Sequence, residues 1–132
     1  DSYNVTNETT IKVITEGLVN LGLLQGEVTD LITSEAHREF YMHGAGHWLG
    51  MDVHDVGDYK IDGEWRIYEP GMVVTIEPGI YISKQNMRVE EKWRGIGVRI
   101  EDDIMITKTG NKNLTSGVPK SRKAIEELMS KI

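Results

Sequence analysis

His43, His47 and His54, three of the chain's four histidines, fall inside His43-Gly44-Ala45-Gly46-His47-Trp48-Leu49-Gly50-Met51-Asp52-Val53-His54-Asp55-Val56-Gly57. Imidazole is the commonest protein metal ligand and a proton shuttle near neutral pH. The interleaved glycines let the backbone come close to a ligand. Together they point to imidazoles converging on something small. His43 and His47 are four apart, the spacing of the helical H-E-x-x-H zinc motif. Gly44 and Gly46 oppose a helix, and the motif's glutamate is missing. In an extended segment the same even spacing again puts both on one face. His54 stands at odd spacing from His47, so it needs a turn near Gly50 to join them. The plainer alternative is one buried histidine and two on the surface.

Two further places carry chemistry. Glu77 closes the apolar run Val73-Val74-Thr75-Ile76 and precedes Pro78-Gly79. A carboxylate at the end of a buried strand is costly unless paired, protonated or metal-bound; an exposed strand end is the plainer reading. In Gly97-Val98-Arg99-Ile100-Glu101-Asp102-Asp103, alternation puts Arg99 and Glu101 on the face opposite Val98 and Ile100. A solvated face of an antiparallel sheet would look the same. Oxygen and imidazole donors without thiolate suit manganese, zinc, cobalt or iron. Carboxylates shared between two such ions would make a hydrolytic site. No serine sits in a nucleophile elbow, and no phosphate-binding glycine loop is present.

The elements that must position these residues read as α+β. Ile11, Ile14, Leu18, Leu21 and Leu24 predict a helix over Thr9 to Leu24, with Gly17 and Gly22 inside it. Val28, Leu31 and Ile32 predict a second, shorter helix. Phe40 to His54 reads as strand, turn and strand. Met72 to Glu77 reads as a buried strand, interrupted by Pro78-Gly79 and resumed at Ile80-Tyr81-Ile82. Lys84 to Gly95 reads as a loop. Gly97 to Glu101 and Ile104 to Thr107 read as strands joined at Asp102-Asp103. Ala124, Ile125, Leu128, Met129 and Ile132 mark a C-terminal amphipathic helix.

The 132 residues suffice for one domain with a core. A net charge of −6 offers no basic surface for nucleic acid or an anionic membrane. With no cysteine there are no disulfides or thiolate metal sites, which fits a reducing compartment, so we expect a cytoplasmic protein. There is no membrane-spanning apolar run and no visible signal peptide. The chain opens on Asp1 rather than methionine, so a piece of a longer protein is expected.

The runs His43 to Gly57, Glu69 to Tyr81 and Gly95 to Asp103, in that order, closely resemble the bacterial aminopeptidase P group of the pita-bread metallopeptidases. That family also holds prolidase and methionine aminopeptidase. The likeness extends over nearly the whole chain, to Gly110-Asn111-Lys112-Asn113-Leu114-Thr115. It implies half of a pita-bread fold, a curved and mainly antiparallel sheet flanked by helices. It implies two divalent metals, manganese foremost, with His47, Glu77 and Glu101 as ligands. Glu77 would also handle the proton of the nucleophilic water. His43 and His54 would contact substrate and steady the tetrahedral intermediate. Tyr81 and Arg99 would lie behind the ligands or at the proline pocket.

The family's two aspartate ligands lie upstream of the helix that opens this chain and have no counterpart here. Asp52, Asp55, Asp102 and Asp103 occupy other motif positions. The resemblance therefore implies residues 1–132 as the C-terminal part of a catalytic domain, inactive alone and able to lack metal. Its parent would release an N-terminal residue that precedes proline. Prolidase, or a non-catalytic peptide-binding module of the same fold, are the alternatives. Half a fold leaves an apolar face and a sheet edge open, so association between chains is expected.

Overall fold

The computed structural model describes residues 1–131. In chain order it contains α1 (Asn4–Asn20), α2 (Val28–Thr33), a 3-10 turn (Ala36–Glu39), β1 (Lys60–Ile61), β2 (Glu64–Trp65), β3 (Val73–Ile76) and β4 (Gly79–Tyr81). A second 3-10 turn (Glu91–Trp93), β5 (Gly97–Arg99), β6 (Asp102–Thr107), β7 (Gly110–Asn113) and α3 (Arg122–Met129) follow. All strand pairs are antiparallel, and helices flank them. The α+β expectation holds.

α1 begins and ends earlier than its apolar spacing suggests. Gly22, read as interior, lies beyond the helix at φ 73°. Its N–H donates to the Val19 carbonyl, and the Leu23 N–H donates to the Leu18 carbonyl. This Schellman ending uses the left-handed freedom of glycine. At the other end, the helix includes polar residues that show no apolar rhythm, and one of them, Asn7, is bonded to the histidine loop. Asn7 Oδ1 accepts the Ala45 N–H at 2.7 Å. Just before the helix, the Tyr3 hydroxyl donates to the Gly46 carbonyl at 2.6 Å.

β3 with β4, and β5 with β6, form one long two-stranded ribbon. Ile76 pairs with Asp102, and Gly79 pairs with Arg99. Two residues intervene on each side, so one register runs through the gap, with Glu77 opposite Glu101 and Pro78 opposite Ile100. The ladder thins there because proline has no N–H to give; the Ile100 N–H still donates to the Pro78 carbonyl at 3.2 Å. Asp102 and Asp103, expected as a link between strands, lie inside β6.

The expected strand, turn and strand over Phe40 to His54 is only partly present. Ala45 to Leu49 runs alongside β3. Leu49, Thr75 and Glu77 N–H groups reach the carbonyls of Val73, His47 and Ala45, at 3.0, 2.9 and 2.7 Å. Only Trp48 and Val74 form a regular bridge. After Gly50 the chain turns, and no second strand forms. The Asp62-Gly63 turn between β1 and β2, and strand β7, were not expected.

Two apolar clusters hold these parts. Ile14 and Leu18 of α1 pack with Phe40, Tyr41, Ile82 and Val89. Tyr3, Trp48 and Val74 pack with Trp65, Tyr68 and Ile104. The C-terminal helix is shorter than expected, starting at Arg122 after the Ser121 cap. It leaves Ile125, Leu128 and Met129 exposed. Ile132, assigned to that helix from the sequence, lies outside the described residues. No helix among the described residues is long and apolar enough to cross a membrane.

Candidate metal centre

Side chains alternate along a strand, and directly paired residues share a face. The ribbon therefore shows Thr75, Glu77, Gly79 and Tyr81 on the same side as Asp103, Glu101, Arg99 and Gly97. The lane from Ala45 to Leu49 brings His47 to the same side, beside Thr75. Val74, Ile76, Pro78, Ile80, Val98, Ile100 and Ile104 take the other side. Asp102, paired with Ile76, aside, strand alternation separates the candidate chemistry from the apolar packing.

Ligand atoms of His47, Glu77 and Glu101 lie within 4.8 Å of one another. His47 Nε2 is 3.2 Å from Glu77 Oε1, and both side chains are largely buried, at 15% and 13% exposure. Glu101 is exposed. His47 Nδ1 lies 2.8 Å from the Trp48 carbonyl oxygen. That oxygen can only accept, so the network assigns the proton to Nδ1 and leaves a lone pair on Nε2. A lone pair then faces a carboxylate oxygen, and beyond it a second carboxylate. A positive charge between them, on a bound metal ion or as a proton on Nε2, would satisfy this contact. Two donors each about 2.1 Å from one ion would be about 3.0–3.4 Å apart, so the His47–Glu77 spacing fits.

Gly46 makes this approach sterically feasible. A Cβ at Gly46 would collide with the Thr75 carbonyl oxygen. Asp55 shapes the turn that follows. Its N–H donates to the Trp48 carbonyl at 3.1 Å, and its carboxylate accepts the Met51 N–H at 3.1 Å. This turn brings the exposed His54 ring to 4.3 Å from the His47 ring, centroid to centroid. The turn near Gly50 that the odd spacing required is therefore present.

Arg99, Tyr81 and His43 form a chain of hydrogen bonds with one direction. Arg99 Nε donates to the Tyr81 hydroxyl at 2.7 Å. His43 Nδ1 lies 2.8 Å from the Gly44 carbonyl, so it carries the ring proton. His43 Nε2 then accepts from the Tyr81 hydroxyl at 3.0 Å. Both His43 nitrogens are engaged, so a substrate can bond to it only by displacing a partner. The hydrogen bond to Tyr81, and its phenol, raise the already high Arg99 pKa; the Glu77 carboxylate adds to this. Arg99 Nη1 is 3.7 Å from Glu77 Oε2. Burial pushes the nearby Tyr41 phenol up to about 12, with Glu77 and Tyr81 contributing.

All seven residues singled out from the sequence lie on this face or at its border. Thr75 was missed, although a lone polar residue two positions before Glu77 in an apolar strand is a readable signal. Asp102 pairs with Ile76 and so lies on the opposite side of the ribbon, where Lys120 Nζ holds it at 2.8 Å.

The Metallopeptidase family M24 model matches residues 2–108. The chain belongs to metallopeptidase family M24. It is 55% identical over 130 residues to the Xaa-Pro aminopeptidase of Haemophilus influenzae, covering 98% of this chain and 30% of that protein. It is 57% identical over 125 residues to the Xaa-Pro aminopeptidase of Escherichia coli K12, covering 95% of this chain and 28% of that one. The structure of Pseudomonas aeruginosa aminopeptidase PepP superposes with a TM-score of 0.95 at 60% identity, over 98% of this chain and 29% of that chain. Zinc-substituted E. coli aminopeptidase P in complex with product gives 0.86 at 56%, over 96% and 28%. The M24 chain thus has the pita-bread fold of these neighbours and spans less than a third of their length.

Proposed function

We propose that this chain is the C-terminal part of the catalytic domain of a two-metal aminopeptidase that releases an N-terminal residue preceding proline. The observation that carries the reading is the convergence of His47 Nε2, 3.2 Å from Glu77 Oε1, and the Glu77 and Glu101 carboxylates, with ligand atoms all within 4.8 Å of one another. The names of its M24 relatives supply the substrate class. His47, Glu77 and Glu101 would hold divalent metal, with two aspartates from outside this chain completing the set. Manganese is our choice among ions that suit imidazole and carboxylate. The bound ions supply Lewis acidity toward water and the peptide carbonyl.

This chain's own residues do the rest. Glu77 takes the proton of the attacking water and returns it to the leaving amine. Its Oε1 is held between His47 and Thr75, while Oε2 makes no hydrogen bond among the described residues and only a longer ion pair with Arg99, at 3.7 Å, so Oε2 is our choice for proton exchange. His54 makes no side-chain hydrogen bond among the described residues and is exposed beside His47. It stabilises the oxyanion that develops on the carbonyl. His43, oriented through Tyr81 by Arg99, borders the substrate. The cysteine-free composition supports a cytoplasmic setting. The apolar groove between α1 and Ile76 and Pro78 supports association with other chain, a second copy included.

The test is metal content after dialysis against manganese, for this chain and for the complete protein, together with hydrolysis of a Xaa-Pro-Pro tripeptide and a Xaa-Pro dipeptide. Metal in the complete protein and tripeptide cleavage are expected. Cleavage of the dipeptide alone would make it a prolidase. Metal-free protein without hydrolysis would make it a binding module.

A further inference from the structure

Resting on the metal-centre reading, we infer that Thr75 is a positioning residue whose single hydroxyl locks the two buried ligands, His47 and Glu77, into one geometry. Thr75 is the polar member of an apolar strand and is 2% exposed. Its hydroxyl accepts the His47 backbone N–H at 3.0 Å. It donates its proton to Glu77 Oε1 at 3.2 Å. That is the same oxygen that faces His47 Nε2. A hydroxyl has one proton to give, so with the His47 N–H bound its proton is committed to Glu77.

The backbone pattern shows that the contact replaces a regular one. The Thr75 N–H donates to the His47 carbonyl at 2.9 Å. In an ordinary antiparallel pair, His47 would return its own N–H to the Thr75 carbonyl. Here the hydroxyl takes that N–H instead. The lane therefore departs from regular strand pairing where the imidazole ligand leaves it. Gly46 allows this, because a Cβ there would meet both the Thr75 carbonyl and the hydroxyl. Outer partners of this kind orient ligands and tune metal affinity.

The test is calorimetric titration of the complete, metal-stripped protein with manganese, for wild type, Thr75→Val, Thr75→Ser and His47→Ala. Melting without metal is recorded for each. Valine keeps the shape and removes the hydroxyl, so affinity is expected to fall about 10- to 100-fold. Serine keeps the hydroxyl and is expected to restore affinity close to wild type. Should Thr75→Val not fold, Thr75→Cys keeps the size, weakens both hydrogen bonds and gives the same reading. Wild-type affinity in the valine or cysteine variant, with or without lower melting, overturns the Thr75 assignment. Equal weakening in serine and valine overturns it as well. Wild-type affinity in His47→Ala overturns the metal-centre reading itself.

Discussion

Glu77 and Glu101 stand opposite each other across one continuous antiparallel register, at the interval where Pro78 thins the ladder. Directly opposed like charges destabilise a sheet. Without divalent metal, Glu101→Gln should therefore raise stability, by about 0.2–1 kcal/mol and toward the lower end because Glu101 is exposed. Added manganese should stabilise the wild type more than the variant. Urea unfolding of the complete protein, with and without manganese, measures both. A variant less stable without metal would mean that the two carboxylates do not repel.

Glu77 has one oxygen held by His47 and Thr75 and a second that makes no hydrogen bond among the described residues and faces Arg99 at 3.7 Å. Glu77→Ala in the complete protein should lower turnover by at least about 100-fold, the size of a general-base contribution. Steady-state kinetics on a Xaa-Pro-Pro peptide reads it. Retained turnover would remove the proton role.

The Tyr81 hydroxyl carries the link from Arg99 to His43. Tyr81→Phe keeps the ring and removes the hydroxyl that joins Arg99 Nε to His43 Nε2. One hydrogen bond to a charged group is worth about 1.5–3 kcal/mol, so kcat/KM should drop about tenfold or more. Metal content should stay unchanged, since Tyr81 touches no ligand directly. Elemental analysis beside the kinetics checks this.

Gly46 is bounded by backbone rather than by a movable side chain. Gly46→Ala must part the histidine lane from β3. A loss of about 1–3 kcal/mol is expected, as for other overpacked sites. A lowered urea midpoint of the chain would show it; an unchanged midpoint would mean that the lane shifts freely.

His37 is 4% exposed, and its Nδ1 has no hydrogen-bond partner among the described residues. Burial lowers its pKa; Glu35 opposes the shift and Arg38 adds to it. The unfolded chain takes up a proton below about pH 6.5 and the folded chain resists it. This contribution is therefore complete above about pH 6.5, is lost as pH falls below that value, and levels off beneath the depressed folded pKa. Melting between about pH 7.5 and about pH 5.5 should fall more steeply for wild type than for His37→Phe.

The fold class was legible in the sequence, and so were the residues that the structure brings together at the candidate centre; the element boundaries were less so. His47, Glu77, Tyr81, Arg99 and Glu101 all carry odd numbers, and the register turns that shared parity into a shared face; His43, before the paired lane, reaches it through Tyr81. Alternation around Arg99 and Glu101 shows one piece of this; the pairing partners need the structure. The start of α1 was hidden because its polar residues show no apolar rhythm; one of them, Asn7, is bonded to Ala45. Its end was hidden because Gly22 serves as a helix stop and resembles an interior glycine in a list of spacings. The β1–β2 hairpin was readable in Asp62-Gly63, both at positive φ. Its strands of two residues were too short for alternation to reveal.

One consequence of the shared register concerns how this gene segment can change over time. Substitutions along β3 to β6 alter one face at a time and can be accommodated singly. Losing or gaining one codon between Val73 and Tyr81 would send every later side chain of that strand to the opposite side. Glu77 or Tyr81 would then point among Ile76, Ile80 and Ile100, and isoleucines would line the floor of the candidate metal centre. Length in this stretch is therefore constrained more tightly than residue identity, and surviving length variants should carry changes in pairs.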